Sequence, residues 1–273
     1  MAIVILFVGC TRVSVNRHVD VYGHGGGGFM SATNPHPANS EAAIRRALFA
    51  FGADGVEVDI QLTSDGKIVL YHDHRLESST NGFGAIGELN VDDVVTASYK
   101  GALDASRDYP VISLQHLFDI LDDAQRVVKV SLNLQPQSDA LDQPALFQKR
   151  AEQLMAEITS DVTSRHVIII ESPEPEQMIA LKMAAAGRDD IPLYFTAEAT
   201  DQNIAFAVDH QLQGLVSNYL KCTPQMRQRM DNANLQWSLY GLKIHSDVRE
   251  ALNFQPDAVQ TDDIPFTLRM LDR

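Results

Sequence analysis

Short apolar segments rich in β-branched residues alternate along this chain with segments of helical periodicity. Such alternation is typical of βα units arranged around a parallel sheet. Strands are predicted at residues 18–22, 55–62, 67–71, 127–134, 166–170, 193–196, 214–217, 236–240 and 257–260. Helices are predicted from residue 40 to about 51 and at 144–159, 174–186 and 247–252. A strand count near eight in 273 residues predicts an α/β fold, a single (β/α)8 TIM barrel.

Residues 74–110 interrupt the alternation. They contain Gly82, Gly84, Gly87 and Gly101 and show only short helical patterns. Long loops at the C-terminal ends of barrel strands commonly shape a substrate site. We therefore predict that this segment is a loop excursion from the top of the barrel.

The charge balance excludes one class of partner. The formal net charge is −14, and Lys and Arg never cluster beyond a pair, so nucleic-acid binding is not expected. No run of 18 apolar residues is present, so no transmembrane span is expected. In so acidic a chain, binding a phosphate would need local help from a metal ion or from backbone N–H groups.

The N-terminus admits two interpretations. Residues 1–9 are short and apolar and precede Cys10, which resembles the end of a bacterial lipoprotein signal, although a basic region is missing and Phe7 stands at the usual leucine position. Residues 1–18 would then be a lipoprotein-type signal segment in which Cys10 becomes lipidated, and the protein would lie at the bacterial cell envelope. Otherwise they are an extension, and the protein is cytoplasmic. Residues 19–273 are predicted to form the barrel domain.

Two carboxylates share one face of the strand predicted at 55–62. Alternate strand residues point the same way, so Glu57 and Asp59 face one side while Val56 and Val58 face the other. Adjacent carboxylates repel unless a cation lies between them, and oxygen ligands suit Mg²⁺ or Ca²⁺. The alternative is a solvated strand face.

Two histidines follow predicted strands. His24 comes after the first strand and His72 after the strand at 67–71, where barrel enzymes place their chemistry. A histidine pair can act as general acid and general base, whereas each alone could be structural. The glycines at 25–28 suit either close backbone approach to a phosphate or a flexible loop.

The order of these motifs resembles the glycerophosphodiester phosphodiesterase family, whose barrel is of the phospholipase C-like phosphodiesterase type. The matching motifs are Asn39-Ser40, Gly52-Ala-Asp-Gly-Val-Glu-Val-Asp-Ile-Gln-Leu-Thr-Ser-Asp-Gly66, Tyr71-His-Asp73, Thr80-Asn-Gly82, Gly87-Glu-Leu89, Tyr109-Pro-Val-Ile-Ser-Leu114 and Gln255-Pro-Asp-Ala-Val-Gln-Thr-Asp262. The resemblance implies that His24 and His72 are the catalytic pair and that Glu57 and Asp59 hold a divalent cation. It does not say which histidine is the acid.

Several family positions differ here. The family's His-Arg-Gly is His24-Gly25-Gly26, and its Glu-x-Lys before a proline places Asn133 and Gln135 at the two charged positions. An asparagine can still coordinate a cation through its neutral oxygen, more weakly than a carboxylate.

The family's late Trp-Thr-Val-Asn motif falls on residues 240–243. It places Tyr240 at the tryptophan and Lys243 at the asparagine, and Lys243 could restore one positive charge. Glu171, near the end of the strand at 166–170, is a candidate third carboxylate. The predicted phosphate contacts are Gly25, Gly26, Gln135, Tyr240 and Lys243.

The resemblance favours a metal-dependent hydrolase that cleaves glycerophosphodiesters to an alcohol and glycerol phosphate. One alternative is a phospholipase-like enzyme that forms a cyclic phosphate from lysophospholipids, favoured if Phe83, Ile86, Leu89 and Val91 form an apolar rim on the excursion. Another is a catalytically impaired barrel that binds a phosphorylated ligand.

Overall fold

The computed structural model describes residues 13–28, 34–103, 106–136 and 144–273. The strands are β1 Asp20–Gly23, β2 Gly55–Leu62, β3 Ile68–Leu70, β4 Ile112–Ser113, β5 Lys129–Leu134, β6 Val167–Ser172, β7 Leu193–Thr196, β8 Gly214–Asn218, β9 Gln236–Leu242 and β10 Ala258–Thr261. Cys10, and with it the predicted lipid anchor, lies outside the described residues and stays a prediction.

Eight of these strands form the predicted closed parallel barrel. Their order is β1, β2, β5, β6, β7, β8, β9 and β10, and β10 pairs with β1 to close the ring. Val56, Val58 and Ile60 of β2 are fully buried in the main core between strands and helices. This alternation leaves the intervening β2 side chains to face the barrel interior. The predicted (β/α)8 fold is confirmed.

One predicted strand does not belong to the barrel. β3 runs antiparallel to β2, and β4 pairs antiparallel with β3 as a further extension of the sheet edge. The expectation that His72 ends a barrel strand is therefore wrong. The turn at residues 63–67 reverses the chain, and the N–H of Tyr71 donates to the carbonyl of Asp59. His72 thus returns to the level of Asp59 by a hairpin.

The helices are α1 Glu41–Arg45, α2 Val91–Val95, α3 Leu114–Asp122, α4 Pro144–Glu157, α5 Ser160–Arg165, α6 Pro175–Ala184, α7 Asp201–Asp209, α8 Pro224–Asn232, α9 His245–Asn253 and α10 Ile264–Met270. α1 is capped by the Ser40 side chain, which accepts from the N–H of Ala43, and continues as a π-helical segment, Arg46–Phe51. Gly52 then ends it in the left-handed conformation. Within the described ranges, no helix has the length and apolarity needed to cross a membrane.

The excursion at 74–110 has a small core of its own. Leu76, Ile86 and Val94 are buried there against Tyr71 of the β3 end. Leu89 and Val91 pack on the same cluster, whereas Phe83 is exposed. Three of the four residues considered for an apolar rim are therefore packing residues. The excursion is an ordered platform beside β3.

Candidate active site

A group of polar side chains occupies the barrel interior near the C-terminal ends of the strands. Glu57 and Asp59 of β2 face inward, as the alternation predicts, and are only 1% and 7% exposed. Asp59 is aligned with Asn133 of β5, and Asn133 with Glu171 of β6. Glu171 is buried to the same extent as Glu57. Neighbouring strands thus present three carboxylates and an amide to one interior space.

Three amides hold Asp59. Asn39 Nδ2 donates to Asp59 Oδ2 at 2.9 Å, and the Asp59 N–H returns a bond to Asn39 Oδ1 at 3.0 Å. Asn133 Nδ2 and Gln135 Nε2 donate to Oδ1 at 3.2 and 2.6 Å. Asn39 has a φ of 64°, a conformation that asparagine tolerates better than most residues. In the sequence, Asn39 stands out only as part of the Asn39-Ser40 motif.

Glu57 is less completely satisfied. Its Oε2 accepts from the N–H of Gly25 at 2.9 Å, but its Oε1 is buried without a hydrogen-bond partner. The side-chain oxygen of Asn133 is also buried without one. Burial, together with the nearby charge of Asp59, raises the pKa of Glu57 to about 8. Unpartnered buried oxygens beside carboxylates are the donor set that a hard divalent cation requires, so these residues fit such an ion.

Glu171 is tied to the opposite wall of the barrel. Both of its oxygens accept from Gln260 Nε2 of β10, at 3.0 and 3.1 Å. Burial raises the pKa of Glu171 to about 7. The predicted third carboxylate therefore shares the interior with Glu57 and Asp59, and the Gln260 amide helps to hold it there.

A tighter acidic cluster lies at the other end of the barrel. His18, Asp20 and Asp54 form the one set of three potential metal ligands, within the described parts of the chain, whose ligand atoms all lie within 4.8 Å of one another. Lys129 Nζ contacts Asp20 at 2.5 Å, however, and Arg273 makes two bonds to Asp54 at 2.6 and 2.7 Å. Because its charges are already neutralised, we interpret this cluster as an ion-pair network. The interior group is the better candidate for a cation site, because Glu57 Oε1 and Asn133 Oδ1 have no hydrogen-bond partner.

Each predicted catalytic histidine is bound to an aspartate through Nδ1. His24 Nδ1 lies 2.8 Å from Asp262 Oδ1, and its Nε2 lies 3.9 Å from Glu57 Oε2. His72 Nδ1 lies 3.1 Å from Asp73 Oδ1. An aspartate on Nδ1 favours the tautomer that carries its proton there and leaves Nε2 for a ligand.

The two histidines differ in exposure. The His24 side chain is 23% exposed and that of His72 is 62% exposed. Burial opposes the charged form of His24, but the hydrogen bond that its ring donates to Asp262 and the charge of Glu57 outweigh it and raise the pKa of His24 to about 9. His24 is therefore positively charged at neutral pH when no cation offsets the carboxylates.

Asp262 was not assigned a role by sequence analysis. It follows β10, which pairs with β1 only because the barrel closes, so the carboxylate reaches His24 across 238 residues of sequence. Its position just after the last predicted strand could have indicated this contact, because His24 follows the first strand at the same end of the barrel.

The glycine turn after β1 is tightly packed. The N–H of Gly25 donates to Glu57, that of Gly26 to the carbonyls of Gly23 and Glu57, and that of Gly28 to the carbonyl of His24. The predicted use of Gly25 and Gly26 as N–H donors to phosphate is therefore at odds with this geometry, because both groups are already engaged. The flexible-loop alternative does not fit either.

Replacing Gly28 by alanine should destabilise the protein by about 2–5 kcal/mol. Gly28 has a φ of +87°, and an added Cβ would lie 2.6 Å from the Asp262 backbone. Gly187 is a matched control, since its φ is +82° but nothing lies within 4 Å of its Cβ position. Gly187→Ala should cost only about 1–2 kcal/mol. Urea unfolding compares the two, and equal losses would contradict close packing at Gly28.

The other predicted phosphate contacts lie at the ends of two strands, β5 and β9. Gln135 donates to Asp59, so its amide already serves the carboxylate. Tyr240 is half-buried on β9 beside Asn218. Lys243 follows β9 at the same end of the barrel, and its side chain is exposed. Their predicted contacts with phosphate remain predictions.

A groove of about 550 Å³ opens beside the polar group. It is lined by Pro37, Ala38, Asn39, Tyr71, His72, Asp73, Ser78, Ser79, Tyr99, Lys100 and Gly101. Asn39 connects it to Asp59, and His72 stands in its wall. Its volume is that of a small-molecule site, and the excursion supplies one side of it.

Comparison with known proteins agrees with this architecture. A phosphodiesterase from Oleispira antarctica, solved in complex with the product sn-glycerol-3-phosphate, superposes with a TM-score of 0.77 at 17% identity, covering 93% of this chain and 97% of the other. A glycerophosphodiester phosphodiesterase from Parabacteroides distasonis gives 0.73 at 16% identity, covering 93% and 97%. At these identities, the likeness shows the fold.

Several sequence relatives are also named glycerophosphodiester phosphodiesterases. A glycerophosphodiester phosphodiesterase from Caldanaerobacter subterraneus is 33% identical over 99 residues, which cover 35% of this chain and 40% of the relative. The chain spans less than half of the length of the first curated relatives that it matches. The model of the glycerophosphoryl diester phosphodiesterase family matches residues 30–265, beginning just after the glycine turn. Since that match spans most of the sequence, the chain belongs to the glycerophosphoryl diester phosphodiesterase family.

Proposed function

We propose that this protein is a metal-dependent phosphodiester hydrolase that cleaves glycerophosphodiesters to an alcohol and glycerol phosphate. The observation that carries the proposal is the pair of aspartate-bound histidines, His24 with Asp262 and His72 with Asp73, placed around a buried carboxylate group.

The two histidines supply the proton transfers that hydrolysis requires. The oxygen of the nucleophile attacks phosphorus and loses a proton to one histidine. The bond from phosphorus to the leaving oxygen breaks, and the other histidine protonates that oxygen to give the alcohol. Because each Nδ1 is held by an aspartate, each Nε2 is left to exchange the proton.

Glu57, Asp59 and the Asn133 oxygen would hold the cation, Mg²⁺ or Ca²⁺, with Glu171 as a third carboxylate. When bound, the ion would neutralise and polarise the phosphate oxygens. The unpartnered oxygens of Glu57 and Asn133 support this assignment. Asn133 is neutral where the family has a glutamate. Glu171 is included because it brings the number of carboxylates around the ion to three.

The substrate class is proposed from the family and from the solved relative that contains sn-glycerol-3-phosphate. The groove beside His72 would accept the phosphodiester and one of its alcohols. Its wall carries the polar side chains of Asn39, His72 and Ser79 among apolar and aromatic residues.

The test is hydrolysis of a panel of glycerophosphodiesters and lysophospholipids, with Mg²⁺, with Ca²⁺ and with chelator. We expect release of glycerol phosphate that chelator abolishes and that His72→Ala lowers by about 10²–10⁴-fold. Accumulation of a cyclic phosphate would instead identify the phospholipase-like reaction. No turnover by folded protein under any metal would overturn the proposal in favour of a binding barrel.

A further inference from the structure

The groove contains one lysine with no ion pair. Lys100 lines the groove together with His72 and Asn39, and its side chain is exposed. Over the described residues, no carboxylate lies within ion-pair distance of its ammonium group, whereas Arg75 of the same excursion contacts Glu77 at 2.6 Å. A lysine without a partner beside a catalytic histidine is available to a ligand.

We propose that Lys100 is an anion-binding residue that contacts the phosphate group of the substrate in this groove. The inference rests on the proposed function and adds a specific contact to it. No sequence pattern points to Lys100, because its nearness to His72 arises only from the fold of the excursion.

The negative charge of the site requires a further positively charged residue to bind an anionic substrate. Glu57, Asp59 and Glu171 line the interior, and Asp262 stands behind His24. A phosphodiester is itself an anion, so a single divalent cation leaves the assembled site negative. A further positive charge on the groove side reduces this repulsion.

The positions nearest the carboxylates cannot supply that charge. Gly25 has a φ of +55°, and a Cβ there would lie 2.7 Å from the Ala38 side chain, so no cationic side chain fits at this backbone. Gln135 is neutral and donates its amide to Asp59. Lys100 lines the groove together with His72, and its side chain is exposed.

The backbone of Lys100 is fixed to the same frame as His72. Its N–H donates to the carbonyl of Ser79 at 2.8 Å, and Ser79 Oγ donates to Asp73 Oδ2 at 2.9 Å. Asp73 in turn holds His72 Nδ1. The flexible stem of lysine then lets its ammonium group adjust to the phosphate.

Lys100→Met tests the inference. We expect the KM for a hydrolysed glycerophosphodiester and the Kd for sn-glycerol-3-phosphate to rise about tenfold at low ionic strength, with little change in kcat. The Kd is measured by calorimetry with sn-glycerol-3-phosphate and with inorganic phosphate. Lys100→Arg should restore most of the affinity, and added salt should reduce the difference between wild type and Lys100→Met.

Lys221→Met is the charge-matched control, because Lys221 is an exposed lysine after β8, at the same end of the barrel but outside the groove. It should bind like the wild type. Unchanged Kd and KM in Lys100→Met would overturn the inference. The proposed function would still stand if the wild type hydrolysed the substrate and His72→Ala did not. A wild-type protein that neither binds these anions nor turns over would overturn both.

Discussion

Replacing His24 by asparagine should lower kcat for glycerophosphodiester hydrolysis by about 10³-fold, within the range for loss of a general acid or base. Asparagine keeps a hydrogen-bonding side chain of similar size but cannot exchange a proton at neutral pH. The loss should fall on kcat rather than on KM, because proton transfer is needed in the transition state and not in the ground state. Steady-state kinetics with saturating Mg²⁺ or Ca²⁺ measures it.

His210→Asn is the matched control. His210 lies at the end of α7, where its Nδ1 contacts the carbonyl of Phe206, away from the groove. It should retain wild-type kcat. Full activity in His24→Asn would remove the two-histidine mechanism, whatever the state of the metal site.

Asp262→Asn separates positioning from proton transfer. The hydrogen bond and charge of Asp262 raise the pKa of His24, so their removal should lower that pKa. The limb of the pH–rate profile that reports His24 should then shift to lower pH. A merely structural role for Asp262 would reduce activity without moving the limb.

The orientation of the β2 side chains could be predicted from the sequence because it depends only on neighbouring residues. Alternation over 55–62 sets which side chains face the interior, and a strand keeps that alternation whatever it pairs with. Glu57 and Asp59 were therefore assigned to one face before their neighbours were known. The eight-stranded barrel followed from the same kind of local repeat.

The rest of the site depends on pairings between distant segments. The bond from His24 to Asp262 forms only when the last strand meets the first, and the bond from Asn39 to Asp59 joins a loop to β2. The strand at 67–71 has the same local pattern whether it runs parallel or antiparallel, so sequence placed it in the barrel. The position of His72 was thus predicted for the wrong reason.

In the presence of chelator, the free energy of unfolding should fall as pH rises from about 4.5 to about 9. Glu57 titrates at 4.5 when unfolded and at about 8 when folded, so its contribution is complete below 4.5 and is lost as pH rises through 8. His24 has the same sign, since its pKa rises from 6.5 to about 9 on folding. For Glu57 the loss is at most about 5 kcal/mol. Urea unfolding across this pH range measures it.

A divalent cation should reverse this dependence. It binds ionised carboxylates, so Mg²⁺ or Ca²⁺ should stabilise the protein more at pH 8 than at pH 5. At 100 times its Kd the ion would add about 2.7 kcal/mol. Glu57→Gln should remove most of the cation response and flatten the pH dependence. Glu171→Gln should weaken affinity, and normal affinity in that variant would reject Glu171 as the third carboxylate.

The cluster at the other end of the barrel provides the discriminating control. Asp20→Asn should leave the cation response unchanged, because Asp20 is paired with Lys129 and His18 rather than held for an ion. If Asp20→Asn abolished the response and Glu57→Gln did not, the cation would belong to the ion-pair network, far from the histidines. The two variants therefore decide whether the buried carboxylates and the catalytic pair form one site.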